Sequence, residues 1–203
     1  MLIRRIHMRK YLLHVLIISF VFLLAPTAQV VSYAGAIEDA KEEVRKNPDD
    51  AMAHFKLGVA YGESGKYEEA IESLKQAIEI DPDYTLAHSG LGVAYAELGM
   101  QKEAIGSLKQ AIRIDPDHAL AYARSYHCYR MLKRWRMATD ALEKAIEAFK
   151  RVIRKNPDDA RMHYLLGLQY VDSGNRGSAL EQYQILKKLD TERANKLFDY
   201  IYK

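Results

Sequence analysis

From residue 36 onward, apolar residues recur at helical spacing in two alternating patterns. Leu57 and Tyr61, with the apolar residues after them, mark a first helix. Ala70, Ile71, Leu74, Ala77 and Ile78 mark a second. Gly65 stands between them, where a helix can end in a conformation that glycine adopts cheaply. The Asp81-Pro82-Asp83 turn stops the second helix, because proline cannot continue it and restricts the residue before it. Asp83 is placed near the start of the next helix, where an acid is favourable. Gly58 and Ala70 are small where the two helices should cross, so the unit reads as an antiparallel helical hairpin.

The unit repeats. Pro48, Pro82 and Pro116 are each 34 residues apart, and His54, Leu57, Gly58, Tyr61, Gly65, Ala70, Leu74 and Ala77 reappear as His88, Leu91, Gly92, Tyr95, Gly99, Ala104, Leu108 and Ala111. A degraded copy follows Pro116, with Tyr122, Tyr129, Ala138, Leu142 and Ala145 in register. A regular one follows Pro157, with His163, Leu166, Gly167, Tyr170, Gly174, Ala179 and Tyr183. This L-G-x2-Y…A-x3-L…P pattern resembles the tetratricopeptide repeat, with His in place of the aromatic at its start. The resemblance implies an all-α solenoid of antiparallel hairpins. Its units are a lone second helix at 36–48, repeats at 51–84 and 85–118, a degenerate third at 119–159, a fourth at 160–190, and a capping helix at 191–203. Ala194, Leu197, Phe198 and Ile201 share one face of that last helix, which covers the apolar side of a repeat with no successor.

The third repeat departs from the pattern. Pro116 and Pro157 are 41 residues apart, and the extra heptad falls in Ala148–Arg154. Two added turns lengthen the second helix by about 10 Å. Phe149, Val152 and Ile153 continue its apolar stripe, either to pack on the last repeat or to meet a partner. Tyr126 stands where the other repeats have glycine at the crossing, which predicts helices pushed apart or rotated and a bent groove. Lys133 replaces the turn glycine, and Ser125 replaces a core leucine.

The residues before the repeats read as an address. A basic stretch through Lys10 precedes the apolar run Tyr11–Ala25, and Pro26 then breaks it. Two readings fit residues 1–34: a secretory signal cut after Ala34, with Ser32 and Ala34 beside the cut, or a retained membrane anchor over residues 11–31. Both place the repeats on the exported side, periplasmic or otherwise extracytoplasmic, given the basic flank. No cysteine lies there to carry a lipid anchor.

Charge and chemistry change this picture little. The net charge is +3, but Arg4, Arg5, Arg9 and Lys10 supply four of the 30 basic residues, leaving 26 against 27 acidic ones. The repeats therefore carry no global basic field for nucleic acid. Arg124, Arg130, Lys133, Arg134 and Arg136 do form a local basic patch around Trp135, which reads either as an anion site or as a solvated helix end. Cys128 is the one cysteine, so neither an internal disulfide nor a multi-thiolate metal site is available, and a buried thiol is expected. His54, His88 and His163 occupy one repeated position, and stacked repeats hold equivalent atoms roughly 10 Å apart, too far to share a metal. Asp81/Asp83 and Asp115/Asp117 straddle turn prolines and read as turn chemistry. No phosphate loop, nucleophile elbow or HExxH is present, so no catalytic, cofactor or metal residues are assigned.

The resemblance further implies a concave groove lined by the first helices, which in that family usually holds a peptide or protein segment. Projected onto this chain, the groove carries Met52, Phe55 and Val59; Leu86, Ser89 and Val93; Leu120, Ala123 and His127; and Arg161, Tyr164 and Leu168. Chaperone-adaptor members clamp a terminal carboxylate with Lys and Asn on this face, whereas here Phe55 and Val59 stand where the first of those would be. The expectation is a non-catalytic scaffold or adaptor holding an apolar segment of another exported or membrane protein. The alternative is self-association through the groove and the long third-repeat helix. The membrane itself becomes a partner only through an uncut N-terminal segment, and nucleic acid is not expected.

Overall fold

The computed structural model describes residues 33–203. The leader or anchor expected over residues 1–34 therefore lies almost wholly outside the described residues. Among those described, no helix is long and apolar enough to cross a membrane.

Ten helices follow one another without a strand among the described residues: α1 (33–46), α2 (Ala51–Glu63), α3 (Tyr67–Ile80), α4 (Thr85–Glu97), α5 (Gln101–Ile114), α6 (Ala119–Met131), α7 (Trp135–Lys155), α8 (Ala160–Asp172), α9 (Arg176–Leu189) and α10 (Thr191–Ile201). They pair as hairpins α2–α3, α4–α5, α6–α7 and α8–α9, and each second helix also packs on the first helix of the next pair. The first helices α2, α4 and α6 touch in sequence, while α3, α5 and α7 make no comparable contact with one another. Helices that approach on one side and spread on the other curve the array, with the first helices inside. The core is accordingly divided into clusters that straddle neighbouring hairpins, as where Ala70, Leu74 and Ala77 of one meet Ala87, Leu91 and Ala94 of the next.

Local chemistry explains where each helix starts and stops. The first helices end at Gly65, Gly99 and Gly174 with φ of 79°, 75° and 74°, and Lys133 takes the same left-handed conformation at 56°. At the proline turns, the Asp81 and Asp115 carboxylates accept from the Asp83 and Asp117 backbone N–H groups at 3.1 and 2.9 Å. Asp83 does not cap α4, whose N-cap is Tyr84, without a side-chain bond. Among the first helices, side-chain caps occur where an aspartate immediately precedes the helix: Asp50 accepts from Met52 N at 2.9 Å and Asp159 from Met162 N at 3.1 Å.

The hairpin crossing depends on glycine. A Cβ built on Gly58 would lie 2.6 Å from Leu74 Cγ, and one on Gly92 would lie 2.6 Å from Leu108 Cγ. At Gly167 the opposing residue is Leu197 of α10 at 2.5 Å, because Tyr183 stands where the earlier repeats have leucine. The capping helix thus enters the last crossing as well as covering it. Ala194, Leu197 and Ile201 are buried, but Phe198 is 40% exposed and stacks between Tyr183 and Tyr202.

In the third repeat, Tyr126 does not push α6 from α7, which lie as closely side by side as the other hairpins. Its ring packs with Ala138, Ala141 and Leu142 and remains only 6% exposed. The displacement comes one step later, since α6 and α8 do not meet as α2, α4 and α6 do. Phe149 from the added heptad is fully buried among Ala119, Ala123, Leu166 and Tyr170, and Ile153 packs on the same cluster. The extension is also tied back to the preceding turn, with Arg151 Nε 2.6 Å and Lys155 Nζ 3.4 Å from the Asp117 carboxylate. The heptad therefore fills the widened junction instead of projecting from it.

Three outcomes are expected. Gly92→Ala forces its methyl against the fully buried Leu108, and urea unfolding should show a loss of about 1–3 kcal/mol. Lys133→Gly relieves a left-handed side chain that costs about 1–2 kcal/mol but adds chain entropy of about 0.5–1 kcal/mol, so a net gain of about 0.5–1 kcal/mol should be measured. Cys128 is 2% exposed and burial raises its thiol pKa, so iodoacetamide should label it slowly at pH 8 in the folded chain and rapidly in urea.

Candidate functional site

The expected groove residues divide by exposure. Met52 and Leu86 are 45% and 46% exposed, Val59 is 38% exposed, and His127 and Arg161 also reach solvent. Phe55, Val93, Leu120, Tyr164 and Leu168 are half-buried. Ser89 and Ala123 are buried, which removes them from the accessible lining. Both are short and sit on first helices pressed against their neighbours, so neither side chain reaches the open face.

At the N-terminal end the accessible residues form a continuous apolar wall. Phe55 stacks on Tyr84 with ring centroids 5.3 Å apart, and the Tyr84 hydroxyl lies 3.1 Å from Met52 Sδ. Val59 lies between two shallow clefts. One, of about 380 Å³, runs between α1 and α2 past Ala36, Ala40 and Phe55. The other, of about 340 Å³, is formed by α2, α3 and α4 around Gly62, Tyr67, Leu74 and Val93. Glu63 borders both, and the only lysine lining either cleft is Lys56. Lys56, which lines the first cleft, is already paired with Glu43 at 2.7 Å.

A third cleft, of about 610 Å³, lies at the widened junction of the third and fourth repeats. Tyr126, Arg130, Trp135, Leu142, Glu143, Ile146, Val171 and Asp172 line it, and none of the twelve expected groove residues does. Arg130 Nη1 donates to the Tyr126 hydroxyl at 3.1 Å and lies 3.6 Å from the Asp172 carboxylate, which also has His127 Nε2 at 4.0 Å. Burial raises the Tyr126 pKa, so its hydroxyl stays protonated and accepts from the guanidinium. Arg124, Lys133, Arg134 and Arg136 are exposed and form no ion pair with any described residue. Sequence reasoning found the basic residues but missed the cleft, since the spacing that creates it depends on how α8 is displaced.

The repeated histidines serve the turns. Nε2 of His54, His88 and His163 each lies 2.8 Å from the carbonyl oxygen of Pro48, Pro82 and Pro157, an N–H donated across the turn. No group of three potential metal ligands gathers among the described residues.

Family models agree with this architecture. A TPR-repeat model matches residues 60–99 and 137–174, and two tetratricopeptide-repeat models match 85–118 and 40–72. Together they cover more than half of the chain, and these spans leave out 119–136, where α6 and its turn depart from the period. No curated protein matches the chain. Among solved structures, MamA is 28% identical over 80% of this chain and 91% of that one, with a TM-score of 0.51. A thermophilic TPR protein of Thermus thermophilus is 21% identical over 89% of this chain and 96% of that one, with a TM-score of 0.67. YrrB, described as a TPR protein with an unusual peptide-binding site, is 18% identical over 82% and 92%, with a TM-score of 0.51, and shares the fold. With its registered hairpins, glycine crossings and matched repeat models, the chain belongs to the tetratricopeptide-repeat family.

Proposed function

We propose that this protein is a non-catalytic scaffold on the exported side of a membrane, holding an apolar segment of a partner protein against the inner face of its first helices. The observation that carries this reading is the solvent-open apolar wall of Met52, Val59 and Leu86, backed by Phe55 on Tyr84. Large apolar side chains left exposed side by side on a structured helical face mark an interaction surface. Phe55 and Tyr84 pack against the core cluster between the first two hairpins, whereas Met52, Val59 and Leu86 belong to none of the core clusters and are free to serve a ligand. A helix laid in the groove would present residues at i, i+3, i+4 and i+7 to this wall. The exported location rests on the basic and apolar order of residues 1–31.

The test is capture in intact cells. A tagged full-length chain is crosslinked, its partners identified and its mature N-terminus sequenced, alongside a Val59→Asp/Leu86→Asp variant. Both positions are exposed, so the variant should keep the helical circular dichroism of the parent. Its crosslinks should fall by about tenfold or more, because buried carboxylates in an apolar interface lose several kcal/mol. Undiminished crosslinking to the same partners would reject the groove.

A further inference from the structure

The α6–α7 turn gathers exposed apolar side chains and cations in one place. Met131 at 71% and Trp135 at 62% are the two most exposed large hydrophobic side chains among the described residues, and Met137 beside them is 42% exposed. The residue equivalent to Trp135 in the first repeat, Tyr67, is half-buried in the α2–α4 cleft. Where α3 opens with Glu68 and Glu69, α7 opens with Arg136 and Met137 and has no acid in its first turn. Lys133, Arg134 and Arg136 are unpaired among the described residues, while Asp172 at the junction is paired with Arg130 and Asp140 of α7 with Lys144. The exposed apolar side chains and the unneutralised cations on either side of Trp135 thus border an open cleft of about 610 Å³ that Trp135 itself lines.

We infer that the junction of the third and fourth repeats is a docking site for an acidic peptide segment of a protein partner, with an apolar or aromatic side chain of that segment inserted beside Trp135. Charge complementarity selects the acidic chemistry, since Lys133, Arg134 and Arg136 have no counter-ion of their own. The floor of the cleft selects the apolar anchor, because Leu142, Ile146 and Val171 contribute hydrocarbon and Trp135 a ring face. A peptide is favoured over a nucleic acid on two grounds. The apolar floor of Leu142, Ile146 and Val171 gives a hydrocarbon side chain a seat that a phosphate backbone does not fill, and the aromatic groups there do not form a row on which successive bases could stack. The inference rests on the scaffold reading and gives that scaffold a second, chemically distinct contact outside the groove.

Trp135 is the chain's one tryptophan, so its emission reports on this cleft alone. The full-length protein is titrated with a short peptide of Glu and Asp carrying one Phe and one Leu, with its Lys-for-acid counterpart, and with single-stranded oligoadenylate. The acidic peptide should shift Trp135 emission saturably and more weakly as salt is raised. Arg134→Glu/Arg136→Glu should weaken it by about tenfold or more, while the single reversal Arg154→Glu at the far end of α7 leaves it unchanged. Circular dichroism checks that each variant is folded. Unmoved emission, equal binding of the basic peptide, or tighter binding of oligoadenylate would each overturn the inference. The groove is judged separately by cellular capture with Val59→Asp/Leu86→Asp, so failure here with loss of capture there rejects the cleft and leaves the groove standing.

Discussion

Leu74 over Gly58 and Leu108 over Gly92 are the contacts on which the array depends, because they set how closely the two helices of a hairpin approach. A Cβ at either glycine would fall inside the van der Waals envelope of a buried leucine that has nowhere to move. Once that approach is fixed, the same leucine and the flanking alanines form the surface on which the next hairpin packs, as Leu74 does with Leu91 and Ala94. Each unit therefore completes its core only with its neighbour, and the ends need special treatment. At the C-terminus α10 supplies Leu197 to the Gly167 crossing, standing in for the leucine that Tyr183 replaces.

The third repeat shows what happens when that contact is changed. With Tyr126 in the glycine position, the hairpin itself stays close, and it is at the next interface that α6 and α8 do not meet. The α6–α8 gap is bridged at its two ends by different chemistry. Near the helix starts, Phe149 and Ile153 of the added heptad fill the space with hydrocarbon. Near the helix ends, Asp172 is paired with Arg130, with His127 Nε2 4.0 Å away. What lies between is open, and the cleft is the part of the junction that neither device closes.

The hairpins and their order were legible because glycine and proline act locally: Gly65, Gly99 and Pro82 mean the same thing in the sequence as in the fold. The lengthened α7 was legible for the same reason, as a break in the period. The packing of its extension was not, since Phe149 reads alike whether it meets a partner or its own chain, and only the position of α8 decides. Ser89 and Ala123 were placed in the groove by register alone, and their burial comes from neighbouring helices that register does not describe. The cleft beside Trp135 was hidden for a related reason: its residues come from three helices whose relative displacement has no sequence signature.

The two interaction surfaces differ in the physics that would govern them. The wall of Met52, Val59 and Leu86 is itself apolar, so an occupant gains chiefly from buried apolar area and leaves slowly. The α6–α7 turn has a field that fades within about 8 Å at physiological ionic strength, too short a reach to guide a partner across the molecule. The field can raise the encounter rate with an acidic segment already near, while the ring of Trp135 and the hydrocarbon of Leu142 and Ile146 determine how long that segment stays. Without Lys133, Arg134 and Arg136, the residues after Lys10 carry 23 basic against 27 acidic side chains, so this attraction is confined to one junction. A partner that used both surfaces would be held in one direction along the array, its apolar segment toward α2 and its acidic segment toward α7.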